Sequence, residues 1–110
     1  MSDERVKDEI ANFKESGLSI IRKIEPIVFK FREGTQYFDG RQRLGLSAQN
    51  LLAASPFLAS ETGNESGSLL QPEPLAMQGL TFMGMKELDD KIAMLDERIN
   101  TLRELWDARN

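Results

Sequence analysis

Between Met85 and Trp106 the apolar residues Met85, Leu88, Ile92, Leu95, Ile99, Leu102 and Trp106 follow one another at intervals of 3, 4, 3, 4, 3 and 4. This is an unbroken a/d heptad pattern, and it requires an α-helix. A stripe only two positions wide per heptad is narrower than the face a helix turns to a globular core, so the expected partner is another copy of the same helix. Running from about Leu80 to Ala108, such a helix is roughly 40 Å long, more than a small domain covers with its own residues. The competing reading is a long core-facing helix in a monomer. Isoleucine at a with leucine at d favours two strands. The segment Lys91-Ile92-Ala93-Met94-Leu95-Asp96, with a cation at g and an acid at e, instead resembles the charge-flanked layer of parallel trimers. Gly79 and Gly84 each weaken the start of the helix by up to about 1 kcal/mol, which predicts irregular first turns.

The rest of the chain reads as short elements. Val6, Ile10 and Phe13 recur at helical spacing and predict a first helix from about Asp3 to Ser16, closed by Gly17. Leu18, Ile20, Ile21 and Ile24 predict one or two helical turns halted by Pro26. In Ile27 to Arg32 the period changes to alternation, which predicts a strand with Ile27, Phe29 and Phe31 on one face. A polar connection with Gly34 and the turn pair Asp39-Gly40 leads to a returning strand at Arg43 to Ser47. Ala48 to Ser55 predicts a helix capped by Ser47 and stopped before Pro56. Ala59 to Pro74, rich in Gly, Ser, Pro and Glu, predicts an exposed loop or arm. The fold class is therefore α+β and mainly helical. Residues 1–78 form the globular part with its arm at about 59–74, and 79–110 form the coiled-coil helix.

Composition narrows the chemistry. The chain of 110 residues is 40% hydrophobic and 29% charged, as a folded soluble domain is. It shows no run of eighteen apolar residues and no basic-then-apolar leader, so no membrane partner or secretory signal is expected. With 14 basic against 18 acidic residues, a net charge of −4 gives no reason to approach nucleic acid. There is no cysteine, hence no thiolate nucleophile and no cysteine zinc site. There is no histidine, which removes the usual general base and every serine–histidine–acid triad. Proton transfer falls to lysine, carboxylate, tyrosine or a terminal amine. Tyr37, Phe38, Arg41 and Arg43 suit a hairpin tip better than a nucleic-acid or peptide contact. Glu87, Asp89, Asp90, Asp96 and Glu97 suit solvated coiled-coil flanks, with Glu87 and Lys91 paired at i, i+4, better than a metal site. No cofactor is expected.

Several blocks occur in a telling order: Ser2-Asp3-x-Arg5-x-Lys7-x-x-Ile10, Gly17-Leu18 with Ile21 and Ile24, Pro26 before Phe29-x-Phe31, Gly45-Leu46-Ser47-Ala48-Gln49, then Lys86-Glu87-Leu88 and the heptad helix. This order resembles the intramolecular chaperone auto-processing domain that ends phage tail spikes, fibres and neck appendages of the endosialidase type, a related copy of which occurs in the myelin regulatory factor. Two departures stand out: Asn50 replaces the usual glutamate, and Gly84-Met85 replaces the usual alanine-isoleucine.

The resemblance implies a homotrimer at the end of a β-rich fibre of the same polypeptide. It implies that the domain assists folding in the host cytoplasm as part of a virion precursor, then cuts itself off just before the serine. It implies Ser2 as nucleophile and Lys7 as its base, with Met1 standing where the last fibre residue would be. The alternative is a permanent trimerisation domain that never cuts. A serine hydroxyl is weak until a neighbour takes its proton, and a free lysine, with a pKa near 10.4, must be lowered by about three pH units to do so at neutrality. Asp3, Glu4 and Asp8 oppose that if they stay close, so the expectation is that Lys7 is dried by packing that only assembly supplies. Positions five apart on a regular helix differ by about 140°, so Ser2 must lie off the first helix, as an N-cap residue does. Backbone N–H groups near the start of that helix are the expected oxyanion donors.

Overall fold

The structure, a computed structural model, describes residues 2–63 and 68–109. In chain order it contains a 3-10 turn (Glu4–Val6), α1 (Gly17–Ile21), β1 (Pro26–Phe29), β2 (Arg43–Leu46), α2 (Ala48–Ala54), β3 (Ala59–Glu61), β4 (Leu70–Pro72) and α3 (Pro74–Arg109).

The first expected helix does not form. Only the 3-10 turn is helical, and Glu9 at φ 53° takes the left-handed region that interrupts any right-handed continuation. The physical reason is the want of a surface to pack on. Val6 and Ile10 stay exposed within the chain, and an isolated helix of that length is marginal in water. Gly17 accordingly opens α1 rather than closing a helix before it. Ser16 is the N-cap, its hydroxyl accepting from the Ser19 N–H at 3.2 Å.

The hairpin is present: β1 and β2 pair antiparallel, Pro26 opposite Leu46 and Phe29 opposite Arg43. Pairing stops at Phe29, short of the expected Arg32. Ile27, Phe29 and Phe31 nonetheless line one groove, and the Phe29 and Phe31 rings meet edge to face at 5.2 Å. In the connection, Asp39 pairs with Arg43 and accepts from the Arg41 N–H at 3.0 Å, while Tyr37 lies 5.4 Å from Phe31. These side chains hold the hairpin end together. Helix α2 begins on the expected cap, with the Ser47 hydroxyl accepting from the Asn50 N–H at 3.3 Å.

The described residues of the 59–74 segment are more ordered than a bare arm. β3 and β4 form a second antiparallel pair, Ala59 opposite Pro72 and Glu61 opposite Leu70. Its base belongs to the core: Ala59 is buried, the Glu73 N–H donates to the Leu58 carbonyl at 2.9 Å, and Ser60 is hydrogen-bonded to Glu73. The middle of the expected arm, 64–67, lies outside the described residues.

Helix α3 starts earlier than the glycines suggested, with Pro74 in its first turn, where a missing N–H costs nothing. Its 36 residues span about 54 Å. Gly84 is not a weak point but a contact. A Cβ there would fall 2.6 Å from Ile21 Cδ1, and one on Gly17 would fall 3.0 Å from Met83 Cβ and 3.1 Å from the Gly84 nitrogen. The two glycines let α1 cross α3 closely. Around that crossing the core comprises Ile20, Leu51, Ala54, Leu58, Ala59 and Leu80.

From Leu88 to Arg109 every residue of α3 is exposed, so the helix projects from the core as a rod of about 33 Å. The radius of gyration is 21.0 Å, against about 13 Å for a compact chain of this length.

Candidate functional site

Two regions carry the expected functional residues: the segment before α1 and the rod of α3. In the first, Asp3 caps the 3-10 turn, its carboxylate accepting from the Arg5 N–H at 2.9 Å and pairing with the Arg5 guanidinium at 2.6 Å. The guanidinium first, and the Arg5 backbone N–H after it, hold the Asp3 carboxyl below its ordinary value. Asp3, not Ser2, is therefore the N-cap. Lys7 closes the turn in extended backbone, its N–H donating to the Glu4 carbonyl at 3.0 Å. Ser2 and Lys7 thus flank the turn on either side, both exposed. Among the described residues no hydrogen bond joins their side chains. With the first helix absent, the Arg5 N–H, a backbone donor in the 3-10 turn, is given to Asp3.

The segment meets the body at its other end. Phe13 packs edge to face on Phe57 with ring centroids 5.7 Å apart. Three residues on, Glu87 of α3 reaches across. Its carboxylate accepts from the Ser16 hydroxyl at 2.8 Å, the Gly17 N–H at 2.6 Å and the Leu18 N–H at 3.1 Å. The Gly17 and Leu18 donors are N–H groups that the first turn of a helix cannot satisfy internally. The Leu18 N–H first, then the Ser16 hydroxyl and the Gly17 N–H, hold the Glu87 carboxyl below its ordinary value against the opposing effect of burial. The expected Glu87–Lys91 ion pair does not form among the described residues; the carboxylate is turned to the start of α1 instead.

A family model described as the chaperone of endosialidase, which carries a peptidase designation, matches residues 2–60. The chain belongs to this family. No curated protein and no solved structure matches it. The endosialidase-chaperone match takes in Ser2, Lys7, the hairpin and α2, and stops before α3.

The α3 rod of this chaperone domain presents the heptad seam to solvent. Met85, Leu88, Ile92, Leu95, Ile99, Leu102 and Trp106 range from 48% exposed at Leu88 to 65% at Leu102 and Trp106. Helix α1 does not cover them, because it docks on the different stripe formed by Leu80, Met83, Gly84 and Glu87. The seam residues therefore face no core within their own chain. Among the described residues no cluster of acidic groups could hold a metal ion, and no helix is long and apolar enough to cross a membrane.

Glu87 and Asn50 are the residues that sequence reasoning missed. Asn50 brackets the α1–β1 connection, accepting from the Glu25 N–H at 2.9 Å and donating to the Lys23 carbonyl at 3.0 Å. Ser16 directly before Gly17 and an apolar group is a capping pattern that marks the start of α1, but it points to neither Glu87 nor Asn50.

Proposed function

We propose that this endosialidase-type chaperone domain associates as a parallel homotrimer through α3, helps a β-rich fibre of the same polypeptide to fold, and then releases itself by cutting the peptide bond before Ser2. The observation that carries the proposal is the uncovered seam from Met85 to Trp106. A single chain leaves seven large apolar side chains in water along one line, and three chains bury them.

In the cut, the Lys7 amine takes the proton of the Ser2 hydroxyl as Oγ attacks the carbonyl carbon of the preceding residue. The C–N bond breaks, the Ser2 nitrogen leaves as an amine with the proton from Lys7, and an ester remains on Oγ. Water then hydrolyses the ester, freeing a carboxylate and restoring the hydroxyl. Lys7 serves as a base only once dried. The pairing of Asp3 with Arg5 supports this reading, because it keeps one carboxylate engaged elsewhere than on Lys7.

The exposure of Ser2 and Lys7, with no hydrogen bond between them, favours a second reading: a permanent trimerisation domain without proteolysis. Expression of the complete parent polypeptide separates the two. The self-cleaving reading expects a product shortened by this domain, absent from Ser2→Ala and Lys7→Ala. An intact wild-type parent supports the permanent domain, and continued cutting of both variants at the same bond rejects the dyad.

A further inference from the structure

We propose that Glu87 is a positioning residue for the self-cleavage, clamping the segment that carries Ser2 and Lys7 to the helix that assembles; the inference rests on the self-cleaving reading above. Among the described residues, every hydrogen bond from 2–18 to an element beyond α1 ends on the Glu87 carboxylate. The segment is irregular over 7–15, so no helix or strand of its own sets the place of Lys7. Its order has to come from where it is attached. Phe13 on Phe57 supplies a non-directional anchor, and Glu87 supplies a directional one.

Glu87 lies between the seam residues Met85 and Leu88 on one continuous helix. Any movement that seats the seam against neighbouring copies carries the carboxylate with it, together with Ser16, Gly17 and Leu18. The carboxylate uses both oxygens, Oε1 on Gly17 and Oε2 on Ser16 and Leu18, which fixes the orientation of the chain as well as its position. The seam and the attached end of the segment therefore move as one body.

The test measures the single-turnover cutting rate of the complete parent polypeptide as wild type, Glu87→Gln, Glu87→Ala and Ser16→Ala, with the sedimenting mass of each recorded before cutting. Misplacing reacting groups by about 1 Å costs up to roughly a hundredfold in rate. The expected order is wild type, then Ser16→Ala and Glu87→Gln, which keep part of the clamp, then Glu87→Ala, slower by on the order of tenfold to a hundredfold. All four should keep the same assembled mass. The pH midpoint of cutting should be unchanged, because the base is still Lys7. Cutting of the assembled Glu87→Gln or Glu87→Ala protein at the wild-type rate overturns the inference, as does a displaced pH midpoint. Should Glu87→Ala fail to assemble, Glu87→Gln and Ser16→Ala decide by the same criterion. A parent that is still cut as Ser2→Ala removes the underlying self-cleavage mechanism instead, whatever the Glu87 variants do.

Discussion

At the scale of single residues, Glu87 and Asn50 do the same kind of work: one side chain satisfies several backbone groups that no regular element reaches. For Glu87 this makes the fold sensitive to acid. The folded carboxyl lies below its ordinary value of 4.5, so its stabilisation is complete above that pH and is lost as the pH falls through the lower, folded value. We expect the protection of the Gly17 and Leu18 amides, taken relative to the intrinsic exchange rate at each pH, to fall as this domain is brought from neutrality to about pH 3, and the same amides in Glu87→Gln to be less protected at neutrality with less change on acidification. Equal acid responses in the two proteins would contradict the assignment. For Asn50, replacement by alanine removes two hydrogen bonds, one from the Glu25 N–H and one to the Lys23 carbonyl, and leaves those groups to water. Urea unfolding should register a loss of about 1–3 kcal/mol. Neither role was legible beforehand, because a long-range side-chain cap depends on which helix lies opposite, and that follows from packing rather than from local pattern. The departure at Asn50 was visible as a letter but not as a bracket.

At the scale of elements, the α1–α3 crossing gives the sharpest contrast. Gly17 and Gly84 face each other across it, yet alanine should have unequal consequences at the two positions. On Gly17 the new methyl meets Met83 Cβ and the backbone of Leu80 and Gly84, none of which can turn aside. Overpacking of that kind costs roughly 1–3 kcal/mol. On Gly84 it meets the far end of Ile21, which can rotate, and the helix interior gains about 1 kcal/mol from alanine. Thermal unfolding is expected to show Gly17→Ala clearly destabilised and Gly84→Ala close to neutral; equal losses would mean that the crossing is not the contact described. The same elements show what sequence pattern conveys. The β1–β2 hairpin, the Ser47 cap of α2 and the existence of α3 follow from period, turn residues and caps, all of them local. The expectation of a helix at Asp3 to Ser16 rested on a correct spacing, but a 3.6-residue stripe needs a surface to lie on, and the single chain offers none to Val6 and Ile10. The β3–β4 pair was hidden for the converse reason: polar, glycine-rich flanks mask two three-residue strands whose pairing is set by the core contact of Ala59.

At the scale of the whole molecule, the decisive quantity is surface left unburied. The chain exposes 9591 Å², about one and a half times the roughly 6,200 Å² of a compact monomer of this mass. Much of that excess belongs to a rod whose seam pattern was the plainest feature of the sequence. The proposed association would offset it, and Ile99 is the place to test this, since it lies on the exposed rod, far along α3 from the α1 crossing. Ile99→Asp should leave the core elements intact in each chain. In a trimer it would remove three isoleucines, each contributing about 1.5–3 kcal/mol when buried, and would bring three carboxylates into one layer. Wild-type protein is expected to sediment as three chains and to unfold at a temperature that rises with concentration. The variant is expected to sediment as one chain, and its far-UV circular dichroism should weaken, because a rod with no partner is only marginally helical in water. Wild-type protein that sediments as a single chain at working concentration, or a variant that keeps the triple mass, would remove the physical basis for assembly-controlled cutting.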